Sequence, residues 1–243
     1  LGSTQCKPSR SVMGCGGSAP QVAPPPSKPP PSKPEVCDVN DFVFDTARST
    51  PSQTITNKNR TVMNVWKGGS GPPSFDGYGW GCTLLKPPLN ADVKSAKVTL
   101  KVHVSKGLHS NGCYLGVTPA DHDIAGGRAA CGHHTTFVYR CRDGDKRVGG
   151  KWIRGFNRRG RQYHEGEEIT LVYKRDERAL YVYDASGLCG GRPLTTDLPT
   201  NKTLHFFADT CSTDQGWTIV SNSLESTEGE KGKEIETNEI QEL

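Results

Sequence analysis

No stretch of this chain approaches the ~20 consecutive apolar residues that a membrane-crossing helix needs, and no window shows a convincing apolar period of 3.6. Leu1 to Val12 lacks the apolar core of a secretory signal, which argues against export. Hydrophobic residues make up only 33% of the 243 and aromatics 7%, too little for a chain packed throughout, so part of the length is expected outside any core. Enzyme signatures are missing as well: there is no G-x-S-x-G, no phosphate-binding glycine loop and no dinucleotide fingerprint. Glu167 and Glu168 are adjacent, would face opposite ways on a strand, and cannot form the paired carboxylates of a glycosidase. The expectation is a protein that is not an enzyme and needs no cofactor. The nine cysteines are odd in number and contain no C-x-x-C pair, so they read as mostly free thiols, several of them buried, rather than as a disulfide framework.

Glycine (28) and proline (17) are abundant instead, and they divide the chain. Residues 1–36 read as disordered. Within them Met13-Gly14-Cys15-Gly16-Gly17-Ser18 fits M-G-x-x-x-S, so a start at Met13 would allow myristoylation of Gly14 and palmitoylation of Cys15. Two acyl chains give durable membrane attachment where one does not. The alternative is a flexible glycine-rich segment that happens to contain Met. Gln21 to Pro34, QVAPPPSKPPPSKP, is rich in proline, which has no amide donor, and favours an extended polyproline spacer; Pro24 to Pro34 also satisfies the P-x-x-P pattern of ligands for SH3-like domains. Residues 224–243 read as an acidic disordered tail. From Glu225 onward seven Glu oppose two Lys, which leaves +9 on the rest of a chain whose total is +4.

Between these ends, 37–223, lie short β-prone runs: Phe42-Val43-Phe44, Thr54-Ile55-Thr56, Thr61 to Trp66, Tyr78-Gly79-Trp80, Val93 to Val104, Thr135 to Tyr139, Lys151 to Phe156, Leu204 to Ala208 and Trp217 to Val220. In Val93 to Val104 the residues Val98, Leu100, Val102 and Val104 share one face and Lys97, Thr99, Lys101 and His103 the other, as on a strand with one wet side. Many short strands without alternating helices predict an all-β fold, an antiparallel two-sheet sandwich or barrel. The strongest local signal is GEEITLVYKRDERALYVYDASG, Gly166 to Gly187: Ile169, Leu171 and Tyr173 alternate with Thr170, Val172 and Lys174, a charged turn follows, and Leu180 to Tyr183 returns, as in a β-hairpin.

This hairpin resembles the central hairpin of SPRY domains, which are concanavalin-like β-sandwiches of jelly-roll type. Gly149-Gly150-Lys151-Trp152 and Arg161-Gln162-Tyr163-His164 resemble the family's lead-in, Gly112 to Val117 (GCYLGV) its isoleucine-glycine-valine strand, and Leu204 to Ala208 the later strand that completes the sheet. The likeness spans roughly Asp41 to Ser223. One departure stands out: the family's usual Asn-Gly turn is replaced by Asp184-Ala185-Ser186-Gly187, whose extra residue predicts a wider turn. The resemblance implies a non-catalytic module that binds a protein partner through loops at one end of the sandwich, often within larger assemblies such as ubiquitin ligases. Polar, glycine-rich composition marks Ser105 to Asn111, Thr118 to His134 and Asp143 to Gly150 as partner-facing loops.

Charge is densest from Arg140 to Arg161, where nine bases oppose only Asp143 and Asp145. Arg140, Arg142, Arg147, Arg158, Arg159 and Arg161 are the candidates for binding a partner or an anion, because guanidinium matches phosphate and carboxylate bidentately. Trp152, Phe156 and Tyr163 lie among them and have the faces to stack on a nucleobase. The competing explanation is a solvated loop and strand set whose aromatics point inward; Trp152 and Phe156, four apart on a strand, would share the core side. Cys113, His122, Cys131, His133, His134 and Cys141 are zinc-binding residue types, but their spacing matches no paired signature, so no metal is expected.

These features combine into a lipid-anchored adaptor on the cytoplasmic face of a membrane, with a protein partner bound at the sandwich end. The alternatives are a lectin-like carbohydrate-binding domain of the same superfold, for which the sequons Asn59-Arg60-Thr61 and Asn201-Lys202-Thr203 would matter, and a basic RNA- or phosphate-binding protein, nucleic acid being the less favoured partner.

Overall fold

In the computed structural model the described residues are 41–65, 81–104, 113–124, 130–157 and 162–226. Among them the chain forms β1 (Val43–Ser49), β2 (Gln53–Thr56), β3 (Thr61–Asn64), β4 (Gly81–Lys86), β5 (Val93–His103), β6 (Tyr114–Pro119), β7 (Phe137–Arg140), β8 (Lys146–Val148), β9 (Lys151–Ile153), β10 (Glu168–Lys174), β11 (Ala179–Asp184), β12 (Gly187–Leu188), β13 (Leu204–Thr210) and β14 (Gly216–Ser226). Only two short 3₁₀ turns, Ala130–Gly132 and Cys189–Gly191, interrupt the strands of the described residues.

The strands make two seven-stranded antiparallel sheets. Sheet A runs β1-β4-β13-β6-β7-β8-β9 and sheet B runs β12-β11-β10-β5-β14-β3-β2. The hairpin signal reappears as β10 and β11, paired with Leu171 opposite Val182. Ile169, Leu171 and Tyr173 of that hairpin are buried, and so are Val98, Leu100, Val102 and Val104 of the neighbouring β5 segment. Alternation therefore places the apolar face of sheet B against sheet A, which is the geometry of a β-sandwich. On the wet face of sheet B, Thr99 and Thr170 join hydroxyls at 2.9 Å across the β5–β10 pair.

Sheet A is different because both faces of its central strands are covered. Every residue of β6 and β13 is buried. Leu115, Val117, Phe206 and Ala208 face the main core, while Cys82, Leu84, Tyr114, Val138 and Phe207 form a second cluster with Ile124, Ala130 and Cys131, which fold over from the β6–β7 connection. The loop Thr118 to His134, expected to face a partner, thus spends several residues covering the sheet.

Two local expectations are corrected. The turn after β11 is tight: Asp184 pairs with Gly187, and the Asp184 carboxylate accepts the Ser186 amide at 2.8 Å, so an Asx-type bond closes the loop that an extra residue was expected to widen. The last strand also runs on through Leu224, Glu225 and Ser226, inside the segment read as tail. Leu224 packs on the core and Glu225 accepts the Ser95 hydroxyl at 2.7 Å, which gives those residues partners that their charge alone did not reveal.

Candidate interaction surface

At the edge of sheet A, β7, β8 and β9 form a meander in which Arg147 pairs with Trp152 and with Val138. Residues opposite one another in adjacent strands share a face, so Tyr114, Arg140, Arg147 and Trp152 gather on the outer side of the sheet. The Trp152 ring lies 5.9 Å from that of Tyr114 and under two guanidinium groups, Arg140 at 4.8 Å and Arg147 at 5.8 Å. Trp152 remains 40% exposed and Ile153 41%, two of the few large apolar side chains on the described surface.

Arg140 is held by Asp143 and Asp145, each at 2.6 Å. Burial opposes its charge, but the bonds from these carboxylates outweigh that and raise its pKa above the ordinary arginine value. Asp145 also accepts the Gly155 amide at 2.8 Å, so this ion pair fixes the turn that ends β9. Arg147 donates to the carbonyls of Gly150 and Cys131, tying the meander to the cover of sheet A and leaving its charge without a carboxylate among the described residues.

Of the predicted arginines, then, Arg140 and Arg147 meet around one indole and Arg142 lies exposed on the β7–β8 turn, while Arg158, Arg159 and Arg161 lie outside the described residues. So do Gly14, Cys15, Pro24 to Pro34 and the loop Ser105 to Asn111. The aromatic expectation is corrected. Trp152 and Phe156 do not share a side, because β9 ends at Ile153 and Gly155, at φ +66°, turns the chain. Phe156 and Tyr163 enter the core and Trp152 stays out, so these three make no row for stacking bases.

The candidate zinc residues are dispersed. Cys113 and Cys141 belong to the main core and Cys131 to the outer cluster, while His122, His133 and His134 stack with ring centroids 4.3 and 4.4 Å apart. Among the described residues no group of His, Cys, Asp or Glu converges to hold an ion. Cys82, Cys113, Cys131, Cys141 and Cys189 are buried thiols outside any disulfide, and burial raises the pKa of the first four well above that of an ordinary thiol.

Two buried polar centres carry no signal in the linear pattern of residues. Tyr139 and Tyr163 join hydroxyls at 2.9 Å, Tyr163 donates to Asp184 at 3.0 Å, and Asn157 donates to Tyr139 at 3.2 Å, which ties sheet A, the loop after β9 and the end of β11 together. The other is Asp209, fully buried beneath the cover of sheet A with the thiols of Cys82 and Cys131 against it. It accepts the Cys131 amide at 2.9 Å, but its Oδ1 has no partner of ordinary geometry.

Burial pushes the Asp209 pKa from 3.8 to about 6. The folded protein therefore holds this proton more tightly than the unfolded chain does. Stability should fall as pH rises from about 4 to about 6, by something on the order of 3 kcal/mol, and level off above. Asp209→Asn is expected to remove this slope, seen as the difference between variant and parent denaturation midpoints across that window; parallel curves would refute the assignment.

Solved structures share this architecture. The SPRY domain of human HERC1 matches with a TM-score of 0.50 at 16% identity, covering 76% of this chain and 98% of that one. The TRIM65 PSpry domain matches with a TM-score of 0.51 at 12% identity, covering 75% and 90%. The chain has the SPRY fold. No protein-family profile and no curated protein matches it.

Proposed function

We propose that this chain is a non-catalytic protein-interaction module, an adaptor whose partner docks on the meander β7–β9. One observation carries the reading: Trp152 stands 40% exposed with the guanidinium groups of Arg140 and Arg147 over its ring. Tryptophan and arginine set together on a rigid strand pair are the residues that supply most of the energy in protein interfaces. The SPRY fold, in a class of domains that act mainly by binding other proteins, supports the same reading, though fold alone does not decide function.

Capture from cytosol with the purified protein tests it. Trp152→Ala is expected to weaken retention of its specific partner at least tenfold, roughly the 1.4 kcal/mol or more of a central anchor, without lowering the melting temperature. Lys97→Glu, on the wet face of sheet B, should leave retention unchanged. Retention indifferent to Trp152→Ala, or binding only to a glycan array, would replace this reading. The motif Met13 to Ser18 supports attachment of the module to a membrane through Gly14 and Cys15, with the proline tract as spacer; the intact mass of the natural protein reports both acyl chains.

A further inference from the structure

Two cavities adjoin along the flank where the sheets end. The first, about 680 Å³, is lined by Arg154, Phe156, Asn157, Ser186, Gly190 and Arg192 among others. The second, about 460 Å³, is lined by residues that include Lys146, Val148, Ile153, Arg192, Pro193 and Asp197. Arg192 belongs to both, and Ile153 and Arg154 are consecutive, so the two form one groove between β9 and the segment that follows β12. Its floor is rigid. Gly190 sits at φ +69°, and a Cβ there would stand 2.4 Å from the carbonyl oxygen of Phe156, so the two walls meet backbone to backbone. The bonded hydroxyls of Tyr139 and Tyr163 and the Asp184 carboxylate brace the same walls from inside.

The groove is charged with one sign at its centre. Arg154 and Arg192 are exposed and make no ion pair among the described residues. Lys146 is already committed, donating to the Leu194 carbonyl at 2.6 Å with its ammonium 4.6 Å from the Phe156 ring, and Asp197 stands only at the far end. Beside the groove, β9 ends sheet A, and among the described residues no strand pairs with its outer edge. Alternation along β9 turns Trp152 to the outer face with Arg147 and Ile153 to the groove. A chain added at that edge would divide its side chains between the same two faces. Three residues of open edge supply few hydrogen bonds, so most of the hold must come from side chains.

We propose that this groove takes an extended, acidic segment of the partner protein, lying along β9, with carboxylates on Arg154 and Arg192 and the intervening side chains against Trp152. The proposal rests on the reading of the chain as an interaction module and adds the chemistry of what it binds. Carboxylate suits the two guanidinium groups because each offers a planar pair of donors that no ion pair occupies among the described residues.

Random linear peptides displayed on phage and selected on the full chain test this. Selected sequences are expected to carry Asp or Glu at alternate positions. A fluorescein-labelled copy of the best should bind at least about tenfold more weakly to the Arg154→Glu, Arg192→Glu double variant, and more weakly as salt rises. Both side chains are exposed, so the variant's melting temperature should match the parent's and show that it folds. Absence of enrichment, peptides without acidic residues, or equal binding by the double variant would overturn the proposal. Neutral peptides released by Trp152→Ala would leave the module standing and remove only the acidic groove. A synthetic copy of Thr227 to Leu243 that binds as tightly as the selected peptides would make the chain's own glutamate-rich tail the occupant, and the assignment to a partner would fall.

Discussion

Gly116→Ala is expected to destabilise the protein by at least about 3 kcal/mol, and Gly116→Val to prevent folding. A Cβ at this position in β6 would stand 1.9 Å from the carbonyl oxygen of Phe137, in the paired strand β7, and 3.1 Å from the Phe207 ring. The first obstacle is backbone, so no side-chain rotation relieves it. Strand β7 would have to move, and with it the meander that carries Trp152. Chemical denaturation of the alanine variant should show a lowered midpoint with the slope little changed. An alanine variant as stable as the parent would mean that β6 and β7 pair at some other spacing. The glycine of the strand that resembles the SPRY family's isoleucine-glycine-valine motif is thus required by close approach of one backbone to another.

Trp217→Ala should cost about 4 kcal/mol, in the range of large aromatic truncations in a core. The side chain is completely buried on β14, and its indole N–H donates to the Asp209 carbonyl oxygen on β13 at 3.3 Å. It therefore links sheet B to sheet A, and truncation leaves both a large void and a buried carbonyl without that bond. Trp217→Phe keeps much of the volume and loses the bond, so a smaller loss of roughly 1–2 kcal/mol is expected. Melting curves separate the two, at roughly 2–4 °C per kcal/mol for a chain of this size. Equal losses for Phe and Ala would show that the hydrogen bond, not the packing, dominates.

How far the fold could be read from the sequence depended on which faces water touches. Strand β5 and the β10–β11 hairpin have one wet side each, so their apolar residues alternate and their residues were placed correctly, down to which side Ile169 and Val98 take. Strand β4, Gly81–Lys86, is buried on both faces except at its last residue, so it shows no alternation by which to recognise it. Strand β8, Lys146–Val148, is three residues with two bases and carries no pattern at all.

The site was legible only in part. The density of arginine pointed to the meander, but which arginines act together depends on pairing across strands, as for Arg147 and Trp152, which a linear list does not contain. Arg154 and Arg192 lie far apart in the chain and meet only because the sandwich brings the ends of its sheets to one flank. Asp209 sits in the run Leu204 to Thr210, LHFFADT, where nothing sets it apart from the polar neighbours His205 and Thr210; its burial comes from the outer cover of sheet A, laid down by residues about 80 positions earlier.

That second cover has an evolutionary consequence. A strand wrapped on both sides has no position at which a change meets only solvent, so in a saturation mutagenesis scan β6 and β13 should appear as unbroken bands of intolerance, whereas β10 should tolerate replacement at every other residue. Drift among descendants of this gene would then accumulate on sheet B and on the rim of sheet A, while the covered central strands change slowly.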